Sequence, residues 1–272
     1  MKKHYLIFSA AAALILSGCS SSTKSSDADS SAPAVSSDST QAPDSAALPT
    51  VQNIPFEVKK MEKKKGENEL EIEYPVNGNP ALVESVRKWI NERLGDSYKG
   101  DMNNADAFFR HYASKLGSEE FDEFGGYTID SFDLEFTNDY IVTYEYASYQ
   151  YEGGAHGDGG EYGTTFLQSS GEIFSKKCFT SYKDLHNLFI EGLKRYFNVK
   201  TDKELADNLN ISGSLSSLAP PAMEPWIEKD GVAFSYTPYE IAPFAAGCPH
   251  FTIPYSQIEP YLTDEGKAFF GK

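Results

Sequence analysis

The 272-residue chain reads as an α+β protein, an antiparallel meander sheet with helices packed against it, preceded by a disordered tether. Three observations predict this. From Gly126 onward the residues alternate between polar and aromatic over Tyr127 to Phe136, Tyr140 to Tyr151, Tyr162 to Leu167 and Glu172 to Lys176, the period of half-buried strands. On both sides of that run apolar residues recur at helical spacing. Ser20 to Thr50, by contrast, is dense in Ser, Ala, Asp and Pro and holds no aromatic residue, so it has too little apolar surface to offset the entropy of ordering.

The N-terminus supplies an address. Lys2 and Lys3 precede an apolar run from Leu6 to Leu16, shorter than the ~20 residues needed to cross a bilayer. The run ends in Leu16-Ser17-Gly18-Cys19, which resembles the bacterial lipobox. Residues 1–18 are therefore expected to be a lipoprotein signal peptide and Cys19 the lipidated first residue of the mature chain. Residues 19–50 follow as linker, with a coil span of roughly 30 Å. The expected location is the bacterial cell envelope, lipid-anchored and extracytoplasmic, at the outer membrane if the source is Gram-negative. Cys178 and Cys248 remain, and in an oxidising compartment they can form a disulfide or stay as two buried thiols.

Residues 51–272 form the folded part, read as one domain, with a division into about 51–150 and 151–272 as the alternative. Ile54 to Met61 and Glu69 to Tyr74 read as a hairpin, because Leu70, Ile72 and Tyr74 alternate with Glu71 and Glu73. Asn79-Pro80 supplies a cap and a first-turn proline for a helix to Leu94. A second helix spans Asn104 to Leu116. Thr137-Asn138-Asp139 joins the first two strands of the meander, and Ser169-Ser170-Gly171 turns into the fourth. Thr180 and Ser181 then cap a helix striped with Leu185, Leu188, Phe189, Leu193 and Phe197. Thr201 to Glu204 is a capping box for a short helix ending near Leu209. Ile211 to Met223 reads as loop. Trp226-Ile227 and Val232 to Tyr236 bracket another hairpin, Phe251 to Pro254 is the last strand, and Ser256 caps a C-terminal helix that reaches toward Phe270.

The charge of −16 disfavours nucleic acid and anionic membrane surfaces as partners and favours basic ones. The stretch Tyr151-Glu152-Gly153-Gly154-Ala155-His156-Gly157-Asp158-Gly159-Gly160 carries five glycines in eight positions around one histidine. No Gly-Lys-Ser/Thr ends it, and a strand follows where a dinucleotide site needs a helix. His156 and Asp158 alone fall short of the three or four ligands a metal needs. No nucleophile elbow or activated cysteine is visible. No cofactor, no metal and no catalytic residue are assigned. The loop reads as a shaped contact surface, with a general base at His156 as the competing enzyme reading. The tyrosine- and phenylalanine-rich strands have an aromatic glycan platform as the alternative to plain sheet packing.

Tyr151-Glu152-Gly153-Gly154-Ala155-His156 is followed, much later, by Phe234-Ser235-Tyr236-Thr237-Pro238-Tyr239-Glu240-Ile241-Ala242-Pro243-Phe244-Ala245-Ala246-Gly247 and Phe251-Thr252-Ile253-Pro254-Tyr255. Together these resemble the extracytoplasmic domain of RsiV-type anti-sigma factors. They are also similar to an uncharacterised domain pair ahead of the catalytic domain in some peptidoglycan deacetylases. The resemblance covers about Ile54 to Leu262. It implies an α+β fold, a non-catalytic domain, and a protein partner of the lysozyme-like muramidase class, with cell-wall glycan as the alternative ligand. By position, Gly153, Gly154 and His156 together with Tyr239, Glu240, Pro243 and Phe244 are the implied binding residues. Anti-sigma signalling and deacetylation are not expected: Cys19 stands where a membrane helix and cytoplasmic segment would be, and no deacetylase domain follows Leu262.

Overall fold

The computed structural model describes residues 54–117, 126–211 and 214–272. The signal peptide, Cys19 and all of the linker lie outside these residues. Val51–Lys272 forms one compact unit. Its elements are β1 (Glu57–Lys65), β2 (Asn68–Asn77), α1 (Pro80–Arg93), α2 (Ala105–Ala113), β3 (Tyr127–Thr137), β4 (Ile141–Tyr151) and β5 (Asp158–Leu167), then α3 (His186–Phe197), α4 (Asp202–Asn208), β6 (Trp226–Glu228), β7 (Gly231–Ser235), β8 (His250–Pro254), α5 (Tyr255–Ile258) and α6 (Asp264–Ala268).

The first five strands make one sheet in sequence order. It is mixed rather than purely antiparallel. β2 and β3 run parallel, with Ile72 beside Phe132, because α1 and α2 intervene and carry the chain back across the sheet. Asn79 begins this crossover by accepting a 3.0 Å hydrogen bond from the Ala81 N–H, with Pro80 in the first turn. Leu82, Val86, Trp89 and Ile90 of α1 then bury against Ile72, Tyr74, Phe132, Tyr144 and Phe166 on one face of the sheet. The Trp89 indole meets the rings of Phe132, Tyr144, Tyr146 and Phe166, mostly edge-on.

β6, β7 and β8 form a second, three-stranded sheet, covered by α3, whose Phe189 and Leu193 pack with Phe234, Phe251 and Ile253. The two sheets meet at two threonines. The Thr143 hydroxyl donates to the Ile227 carbonyl (2.8 Å), the Ile227 N–H donates to Thr165 (2.7 Å), and the two hydroxyls lie 2.8 Å apart. All four polar groups are thereby satisfied where Thr143 and Thr165 are buried. Beside them the Trp226 indole lies directly over Gly163, where a β-carbon would overlap it.

Several sequence expectations change. Glu172 to Lys176 is no fourth meander strand; a single bridge joins Phe166 and Ile173. Phe174 then leaves the sheet to bury among Phe179, Phe269 and Phe270. Ser256 does not cap a long C-terminal helix. α5 begins at Tyr255 after Pro254, the chain continues as a 3₁₀ turn containing Pro260, and α6 restarts with the Thr263 hydroxyl accepting from the Gly266 N–H. A proline ring inside a helix breaks its ladder. Cys178 and Cys248 are both free thiols, not a disulfide. Cys178 is buried in a turn whose carbonyl accepts the Thr263 N–H, whereas Cys248 lies against β5, where its sulfur accepts the Glu161 N–H.

Candidate functional site

The glycine-rich stretch is shorter as a loop than its composition suggests, because Asp158, Gly159 and Gly160 already belong to β5 and pair with Gln150, Tyr149 and Ser148. The loop proper is Glu152 to Gly157. Gly153 and Gly154 hold φ of 93° and 99°, which disfavours any side chain there. Two tyrosines of β4 tie the loop down. The Tyr151 hydroxyl donates to the Gly154 carbonyl (3.0 Å), and the Tyr149 hydroxyl accepts the Gly157 N–H (3.1 Å).

His156, held this way, is turned toward the segment before β8. Its ring stacks on Phe244 with centroids 3.9 Å apart and planes 18° apart. Its Nε2 lies 3.3 Å from the Tyr239 hydroxyl, and Nδ1 lies 2.8 Å from the Gly157 carbonyl. The Tyr239 and Phe244 rings are 5.5 Å apart. Tyr239 is 61% exposed and has a φ of 66°, a left-handed conformation that costs a non-glycine residue about 1 kcal/mol or more. The structure thus joins two stretches distant in sequence into one small aromatic surface.

The other implied residues divide. Pro243 is exposed and starts the 3₁₀ turn that presents Phe244. Gly153 lines a neighbouring depression, and Gly154 is exposed. Glu240 is half-buried, and its carboxylate is engaged within its own loop. It accepts from the Thr237 N–H and hydroxyl (2.8 and 3.0 Å) and from the Ala222 N–H (2.8 Å). A carboxylate taking three short hydrogen bonds holds its own loop in place. The loop is fixed further by the Tyr236 hydroxyl donating to Ala219 and the Tyr196 hydroxyl donating to Ala246.

Beside His156 lies an open depression of about 550 Å³ on the face of the sheet that also carries α1, lined by β4 and β5. Strand register explains its composition. Phe132, Tyr146 and Tyr162 form one row across β3, β4 and β5, and Asp130, Ser148 and Gly160 form the next. Thr128, Gln150 and Asp158 form a third. Burial pushes the Asp130 carboxyl up, against hydrogen bonds from Tyr146 and Ser148 that pull it down. Tyr146, Ser148, Gln150 and Tyr162 lie outside the glycine-rich stretch that the sequence points to; the period-two spacing of positions 146, 148 and 150, and of 158, 160 and 162, is the signal that places them on one face.

On the opposite face Glu145 is packed near Glu161, Glu135, Asp133 and Glu228. Burial first, and then those like charges, push its carboxyl up to about 7. Burial also raises Glu228, but hydrogen bonds from His250, Thr252 and Trp226 outweigh it, and that carboxyl ends below its usual value. Among the described residues no three or more His, Cys, Asp or Glu side chains are grouped to hold a metal, and no helix is long and apolar enough to cross a membrane.

Residues 172–256 match the DUF3298 family, described as a protein of unknown function. The matched stretch contains Tyr239 and Phe244 and excludes His156. A crystal structure of a DUF3298 family member from Bacteroides fragilis NCTC 9343 is 18% identical, with a TM-score of 0.59 over 80% of this chain and 98% of its own. A DUF3298 family protein from Pseudomonas aeruginosa PAO1 is 14% identical, with a TM-score of 0.51 over 78% of this chain and 95% of its own. At these identities the likeness shows a shared fold. No curated protein matches the chain.

Proposed function

We propose that this chain is an envelope lipoprotein, anchored through Cys19, whose folded part is a non-catalytic binding domain that seats a protein partner on the His156–Tyr239–Phe244 surface. The observation that carries the reading is the meeting of the two stretches, 3.3 Å between Tyr239 and His156 and 3.9 Å between the His156 and Phe244 rings. An exposed tyrosine held in a strained backbone, beside a histidine stacked on a phenylalanine, has the aromatic make-up of an interface anchor. Both ring nitrogens of His156 are engaged within the protein, by the Gly157 carbonyl and the Tyr239 phenol. The partner we name is a lysozyme-like muramidase. The resemblance to RsiV-type domains supports this, and the charge of −16 suits a basic protein.

Enzyme inhibition tests the proposal. Adding the full chain to lysozyme clearing a cell-wall suspension should slow the clearing, and Tyr239→Ala should restore it. Unchanged clearing at a large molar excess of the chain rejects the muramidase as partner. Retention of the chain on purified cell wall, with no effect on lysozyme, would favour a glycan ligand instead.

A further inference from the structure

We infer that the depression beside His156 receives an arginine side chain of the protein partner. The inference rests on reading this face as a protein-binding surface, and it names the chemistry of one contact there. The register sets the shape. In the row Asp130–Ser148–Gly160 the last position has no side chain, and the ring of Tyr162 folds across the gap so closely that a β-carbon on Gly160 would strike its hydroxyl. The Tyr162 ring therefore covers Gly160, and the open part of the depression lies beside that ring. One wall is a tyrosine ring, and the floor carries the Ser148 hydroxyl and the Gln150 amide.

Its charge is one-sided. Asp158 and Glu152 line the depression, and neither lysine nor arginine does. The Asp130 carboxyl adjoins the floor and accepts from the Tyr146 hydroxyl at 2.9 Å. A neighbouring cation, Arg93 of α1, is held over the Tyr146 and Trp89 rings, 5.8 and 6.0 Å from their centroids. A guanidinium already rests on tyrosine at the edge of this site, and the carboxylates beyond it keep their negative field. An anionic ligand would be repelled. Of the two tyrosines lining it, Tyr162 alone offers a half-exposed ring to a neutral sugar, because Tyr146 is only 8% exposed. An arginine can lay its stem along the Tyr162 ring and turn its planar head toward Asp158 and Glu152, combining stacking with charge-assisted hydrogen bonds.

Amide NMR of the full chain titrated with N-acetyl-arginine amide tests this, with N-acetyl-citrulline amide and chitotriose as parallel arms. Arginine amide should shift the Gly159, Gly160 and Tyr162 amides, citrulline amide should not, and Asp158→Asn should weaken the effect roughly fivefold. Gly160→Val, whose β-carbon would displace the Tyr162 ring without altering charge, should abolish it. Equal shifts from citrulline, shifts spread over the acidic face around Glu145, or shifts at these amides from chitotriose alone would overturn the inference. Because the probe is a single amino acid, the result does not depend on whether lysozyme is the partner. Tyr239→Ala should leave the arginine shifts in place while abolishing inhibition of lysozyme.

Discussion

The phenolic oxygen of Tyr239 lies 3.3 Å from Nε2 of His156 across a separation of 83 positions. Neither residue is placed by its own stretch alone. His156 is aimed by Tyr149 and Tyr151 from β4, and Tyr239 by a turn that Glu240 pins from inside. The contact exists because the small sheet docks on Thr143 and Thr165 of the large one, so the proposed binding surface is a product of that docking.

Tyr239→Gly should separate stability from binding. The residue sits at φ 66° with its ring 61% exposed, so replacement by glycine relieves backbone strain and loses little burial. Thermal unfolding should show a gain of about 0.5–1 kcal/mol, while partner binding falls by roughly tenfold or more. A destabilised variant would mean that the ring contacts hold the loop more strongly than its strain opposes it.

The joint between the sheets can be tested at Gly163. Any side chain there overlaps the Trp226 indole, so Gly163→Ala should destabilise the chain by about 1–3 kcal/mol in chemical denaturation. It should also weaken partner binding by displacing β6 and, through it, the Tyr239 turn. Unchanged stability would show that the indole has room to move.

Glu145 gives the fold a pH signature. Its folded carboxyl keeps a proton up to about 7, whereas the usual value is 4.5. Between these values the folded state binds the extra proton, so stability is fully retained below 4.5, falls as pH rises toward 7, and stays lower above it. The loss should be on the order of 2 kcal/mol after allowing for relaxation around a partly accessible group. Glu145→Gln should remove this part of the pH dependence and be the more stable protein at pH 8. Parallel curves for the two proteins would contradict the assignment.

How much of this was legible in the sequence differs by residue. Asn79-Pro80 and Thr201 to Glu204 signal their helices locally, and both caps form. The alternating runs locate β3 and β4 within a residue or so at each end. The parallel pairing of β2 with β3 was not legible, since it depends on where two helices return the chain. Phe174 shows the limit of periodicity: its spacing fits a strand, but a second core lay within reach and took the side chain. Glu240 shows another limit, because the resemblance implied it as a contact by position, whereas its hydrogen bonds to the Thr237 and Ala222 main chain are set by the fold. The His156–Phe244 stack is wholly tertiary; the resemblance named its two stretches without placing them on one face.

The most direct test of the central claim is isothermal calorimetry of the full chain with lysozyme, run for the parent and for His156→Ala, Tyr239→Ala and Phe244→Ala. Saturable one-to-one binding by the parent, weakened roughly tenfold or more by Tyr239→Ala or Phe244→Ala in chains that still fold, is the predicted result. No heat from the parent, or equal affinity across all four proteins, would contradict it.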